Sequence, residues 1–126
     1  MNKFDLEDRL INFAVSVINL CADLENSKAG NHIGGQLLRS GTAPALNYGE
    51  AQSGESRKDF VHKIKIVLKE LRESLVSMKI IERAKLIESM ENITKAQNEC
   101  NQLISIFVKS VETAQKNLAS EKIHKS

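Results

Sequence analysis

The sequence predicts an all-α fold, an antiparallel up-down-up-down four-helix bundle whose second helix is kinked at a proline. Three observations carry that expectation. Apolar residues recur at alternating steps of three and four along most of the 126 residues, the spacing that lines one side of a helix. The chain has one proline and six glycines, so long segments run without a helix breaker. Short polar connectors separate the apolar runs, which makes successive helices antiparallel neighbours. With 41% hydrophobic and 27% charged residues the composition is that of a globular chain. One domain is expected: residues 1–119 form the bundle and residues 120–126 a polar, frayed tail.

The first helix is expected over residues 5–25. Leu6, Leu10, Phe13, Val17, Leu20 and Leu24 form a heptad seam, and Ile11, Ala14, Ile18 and Cys21 form a second row beside it. A helix in a lone bundle needs an apolar face of about three residues in seven. The second row therefore has two readings, a broad core face or a surface for another subunit. Residues 26–31 read as a turn, with Gly30 ending one helix and Asn31 capping a second that starts near His32.

The second helix turns a small face to its neighbours through Ser40, Gly41, Ala43, Ala45, Gly49 and Ala51. Close backbone approach is the gain, set against about 1 kcal/mol per interior glycine relative to alanine. Pro44 lacks an N–H, so a continuing helix leaves the Ser40 carbonyl without its usual donor and bends the axis. Thr42 and Asn47 are placed to bond carbonyls freed there. The bend reads either as a tightly packed core feature or as a binding site.

Ser56 and Asp59 resemble a capping box with Asp in place of Glu. They open a third helix whose row is Phe60, Ile64, Val67, Leu68, Leu71, Leu75 and Met78, ending near Arg83. Its length of roughly 28 residues corresponds to about 42 Å. Residues 85–88 make a turn without Gly or Pro, and Ser89 caps a fourth helix with the row Ile93, Ala96, Cys100, Leu103, Phe107, Val111, Ala114 and Leu118.

A net charge of +2 excludes a polycation, so affinity for RNA or DNA has to come from local arrangement. Lys58, His62, Lys65, Lys69 and Arg72 supply one: their spacing of four and three puts them on one side of the third helix. Arg57 and Lys63 lie near its start, while Glu55, Glu70 and Glu73 are interspersed. The row reads either as a phosphate-binding surface or as a solvated face. Arg39 and Glu50 flank Pro44 about three turns apart. They read as partners of other helices or subunits, or as part of a surface site.

No catalytic constellation is present. His32, His62 and His124 sit on separate segments outside any HExxH or ExxH pattern, and there is no GxxxxGK[ST] loop. No catalytic residue, metal or cofactor is assigned, and Glu70 with Glu73 reads as a solvated pair. Cys21 and Cys100 read as buried free thiols. The opening residues lack the apolar core of a signal peptide and no apolar run reaches 18 residues, so a cytoplasmic protein with no membrane association is expected.

Leu38-Arg39-Ser40 and Asn47-Tyr48-Gly49-Glu50-Ala51, followed by Lys58-Asp59-Phe60 and Leu68-Lys69-Glu70-Leu71-Arg72-Glu73-Ser74, carry a resemblance. They resemble a bacterial four-helix-bundle family first noticed as reading frames inside intervening sequences of large-subunit ribosomal RNA genes. The likeness spans nearly the whole chain and extends to the accessory proteins of diversity-generating reverse transcriptases. Ala45-Leu46 stands where members often carry smaller residues. The resemblance implies a homo-oligomeric ring, typically a pentamer, with Arg39, Pro44, Asn47 and Glu50 as structural signature positions. The function expected is a non-enzymatic accessory to a nucleic acid or ribonucleoprotein. The alternative is a scaffold ring that meets a partner protein without nucleic-acid contact, a reading that a broad exposed apolar patch would favour.

Overall fold

The computed structural model describes residues 2–54 and 56–125, without the side chains of residues 124 and 125. Glu55 and the His124 side chain, both named above, thus lie outside what is described. Four helices follow one another: α1 (Lys3–Ala22), α2 (Lys28–Gln52), α3 (Arg57–Arg83) and α4 (Met90–Lys125). Among the described residues there is no strand. Each consecutive pair packs together and α1 also packs against α4, which closes a four-helix bundle. Along α3 and α4, contacts that advance on one helix recede on the other: Arg57 meets Glu121, Leu71 meets Cys100 and Glu82 meets Gln97. That order is antiparallel.

Local chemistry sets the boundaries. Asn2 caps α1, accepting hydrogen bonds from the backbone N–H groups of Phe4 and Asp5, so the helix starts two residues before the expected position. It ends at Ala22, three residues early, because the Glu25 N–H leaves the helix and donates to the Leu86 carbonyl at 2.8 Å. The cap of α2 is Ser27 rather than Asn31: its Oγ accepts from the Gly30 N–H at 3.0 Å. Gly30 lies inside the first turn instead of ending a helix. A Cβ there would stand 2.1 Å from the Glu25 carbonyl oxygen, so glycine is required by proximity. Ser56 caps α3 through the Asp59 N–H, as expected.

The glycine-free turn after α3 is a Schellman motif with lysine in the glycine position. Lys85 has φ 56°, its N–H reaches the Glu82 carbonyl, and the Leu86 N–H reaches Ile81. Leu86 and Ile87 are buried in the core, and burying them offsets the left-handed conformation forced on Lys85. Ser89 accepts from the Asn92 N–H at the start of α4, which extends through the expected tail to Lys125.

The core contains Leu6, Leu10, Phe13, Val17 and Leu20 of α1, Ile64, Val67, Leu71 and Met78 of α3, and Ile93 to Val111 of the α4 row. Phe60, Leu68, Leu75 and Ala114 are only partly buried against it. Helix α2 runs unbroken through Pro44, which is buried with Ser40, Gly41, Tyr48 and Ala51. Thr42 donates to the Leu38 carbonyl at 2.7 Å and Asn47 to Ala43 at 3.0 Å. Tyr48 meets Phe107 edge to face with centroids 5.6 Å apart. Leu46 points outward and is 69% exposed, so its size leaves the proline turn undisturbed.

Candidate functional site

The second row of α1 divides: Cys21 packs against the core and Ala14 is half-buried, while the two isoleucines are exposed. Ile11 and Ile18 are 44% and 48% exposed, and Val15, which shares their side of the helix, is exposed with them. Leu38 and Leu46 are exposed on neighbouring α2. At Gly35 and Gly49 a Cβ would meet nothing within 4 Å, so that part of α2 is also open. An apolar surface is left uncovered.

On α3, Lys58, His62, Lys65, Lys69 and Arg72 are all exposed. None of the five forms an ion pair among the described residues. Two of the interspersed acids, Glu70 and Glu73, are held elsewhere. Arg39 of α2 donates to Glu70 at 2.9 Å and to Glu73 at 2.6 Å. The hydrogen bonds to Glu73 and then Glu70 push the Arg39 pKa upward, so the guanidinium stays charged. Glu50 takes Lys63, and Arg57 pairs with Glu121 at 2.9 Å. Glu70 and Glu73 therefore serve the α2–α3 contact and form no ion pair with the row's cations.

Arg39 and Glu50 thus do not form one site: each reaches α3 separately. Pro44 is buried and Asn47 bonds its own helix. Beneath Arg39 lies a pair of serines that spacing alone does not single out. The Ser74 hydroxyl lies 3.0 Å from that of Ser40 and bonds the Glu70 carbonyl at 2.9 Å, while Ser40 also bonds the Leu37 carbonyl. Among the described residues no buried side-chain polar atom lacks a partner. The one visible signal for Ser40 is its place four residues before Pro44.

A solvent-open groove of about 680 Å³ lies along this part of α2 and α3. Arg39, Lys65, Lys69 and Arg72 provide its cations; Ile33, Leu68 and Val76 provide apolar lining; Gln36 and Glu73 also border it. Lys58 and His62 lie outside the groove, nearer the start of α3. No three His, Cys, Asp or Glu residues among those described cluster as a metal site. Cys21 and Cys100 are free. Burial, reinforced by the charge of Glu99, pushes the Cys100 thiol up to about 12, and burial also raises Cys21. Both are poor nucleophiles at neutral pH.

A family model described as 23S rRNA-intervening sequence protein matches residues 2–109. The chain belongs to this family. The four-helix fold and the Arg39 to Ala51 stretch are thus those of a 23S rRNA-intervening sequence protein. The chain is also similar to a solved structure from Bacteroides thetaiotaomicron, described as a protein of unknown function from the S23 ribosomal protein family. The two share 28% identity with a TM-score of 0.80, over 89% of this chain and 99% of that one. No curated protein matches. No helix among the described residues is long and apolar enough to cross a membrane.

Proposed function

We propose that this member of the family is a non-enzymatic nucleic-acid or ribonucleoprotein accessory that binds phosphates along the outer face of α3. The observation that carries the reading is the basic row, which forms no ion pair among the described residues. Lys58, His62, Lys65, Lys69 and Arg72 share one exposed side, while Glu70 and Glu73 are drawn to Arg39. An exposed cation with no internal partner exchanges its counterions for phosphate at little structural cost. Two free cysteines fit a reducing, cytoplasmic setting.

Self-association is the second part of the proposal. The exposed Ile11, Val15 and Ile18 favour a second copy as occupant, since their stripe carries no charge that would select a different partner. In the ring that the resemblance implies, with five copies expected, the α3 row would recur on every subunit. Recurrence multiplies modest affinities through effective concentration. The competing reading, a scaffold for a partner protein, draws on the same apolar stripe.

Fluorescence anisotropy with structured RNA, single-stranded RNA and duplex DNA across a salt series tests the ligand. Replacing Lys65, Lys69 and Arg72 together by Gln should leave helicity and thermal melting nearly intact. It should flatten the logarithmic salt slope by about 2–3 per binding subunit. Binding with an unchanged slope, or no binding by the parent at low salt, would reject the α3 surface as the phosphate site.

A further inference from the structure

We propose that the groove between α2 and α3 selects an unpaired nucleic-acid segment. One base lies over Arg39 and the apolar lining of Ile33 and Val76, while Lys65, Lys69 and Arg72 hold the adjoining phosphates. The inference rests on the nucleic-acid reading above and adds to it a preference for single strands over duplex.

Arg39 is the central observation. Two carboxylates on α3 take its guanidinium nitrogens, Glu70 at 2.9 Å and Glu73 at 2.6 Å, yet 55% of its side chain remains exposed. Those hydrogen bonds lie in the guanidinium plane, so they offset the charge and fix the orientation while leaving a flat face available. A guanidinium plane can stack on a base as an aromatic ring does. It supplies what this chain, with five aromatic residues, otherwise lacks at the basic row.

Val76 is the second. It follows Arg72 by four residues on the same side of α3 and is 57% exposed. Beside it the groove is apolar through Ile33 and cationic through Lys65, Lys69 and Arg72. A duplex keeps its base faces within the stack, so it would meet the cations and leave this apolar lining wet. An unpaired nucleotide presents a flat apolar face and a phosphate together. The Gln36 amide at the groove edge can both donate and accept, which suits the edge of an exposed base. The groove is shallow and open to solvent, a shape that suits a flat ring better than the projecting anchors of an acidic partner helix.

The test compares the full chain with the variants Val76→Ser and Arg39→Lys. Three labelled probes are used: a short single-stranded RNA, the duplex of the same sequence and an acidic amphipathic helical peptide. The parent should bind the single strand roughly tenfold tighter than the duplex, as expected for one stacked base. Each variant should remove most of that preference by weakening single-strand binding alone. Arg39→Lys also loosens the α2–α3 ion pairs, whereas Val76→Ser alters an exposed side chain, so the second variant keeps the comparison valid if the first unfolds. Equal affinity for the two RNAs, or a preference that Val76→Ser leaves unchanged, overturns the groove assignment while the basic-row reading stands. Failure to bind either RNA overturns the groove assignment, and failure to bind duplex DNA as well overturns both. Tighter binding of the peptide, lost in Val76→Ser, assigns the groove to a partner protein and overturns the inference.

Discussion

Gly41 shows how much one missing side chain decides. A Cβ at this position would lie 2.6 Å from both methyl carbons of Val17 and 2.9 Å from its Cβ. Val17 is fully buried, and its β-branched side chain has little rotamer freedom with which to withdraw. Gly41→Ala should therefore destabilise the protein by about 1–3 kcal/mol in urea unfolding, despite the higher helix propensity of alanine. Adding Val17→Ala should restore part of the loss, so the double variant should be more stable than the two single costs predict. Strict additivity would show that Gly41 acts other than through Val17. The small residue was legible in the sequence because its whole neighbourhood is small. Its partner was not, since no spacing within α2 reveals which α1 side chain lies opposite. The Ser40–Ser74 contact stayed hidden for the same reason.

At the scale of the helix, the heptad seam of α1 identified its buried residues because burial repeats with the helix period. The second row has the same period, so the pattern could not say whether Ile11 and Ile18 meet the same chain or another one. Their exposure in the single chain removes the first reading. If self-association uses this face, replacing Ile11 and Ile18 together by Glu should leave far-ultraviolet circular dichroism unchanged. Sedimentation should then give the mass of one chain where the parent gives several. A parent that sediments as a single chain would sink the proposal. Helix boundaries were less legible than helix faces. Glycine before Asn31 imitates a helix end, yet Ser27 supplies the better cap because its oxygen reaches the third N–H of the helix.

For the whole molecule, the faces of the bundle divide the work. Exposed apolar side chains lie along α1, and α3 carries cations on its outer side. The architecture could be read from periodicity, since four apolar stripes have few ways to cover one another. The basic row could be read too, but its freedom from salt bridges among the described residues could not. Glu70 and Glu73 look like neutralising partners until Arg39 is seen to hold them.

The least tightly joined neighbours in the bundle are α1 and α4, with a cavity of about 240 Å³ between them. Arg9 bridges to Glu99 and Gln102 across this seam. The pairs that join α2 to α3 are far closer in sequence, Lys63 with Glu50 and Arg39 with Glu70. Loop-closure entropy rises with the length of chain enclosed, and contacts between distant segments form late. The hairpins α2–α3 and α3–α4 can assemble with short connectors already holding their ends, whereas α1 must find α4 after the intervening chain has ordered. The bundle thus closes like a book along its α1–α4 edge. Native-state hydrogen exchange should find amides bordering that edge opening at lower free energy than those where α2 faces α3; equal protection on both would contradict this order of closure.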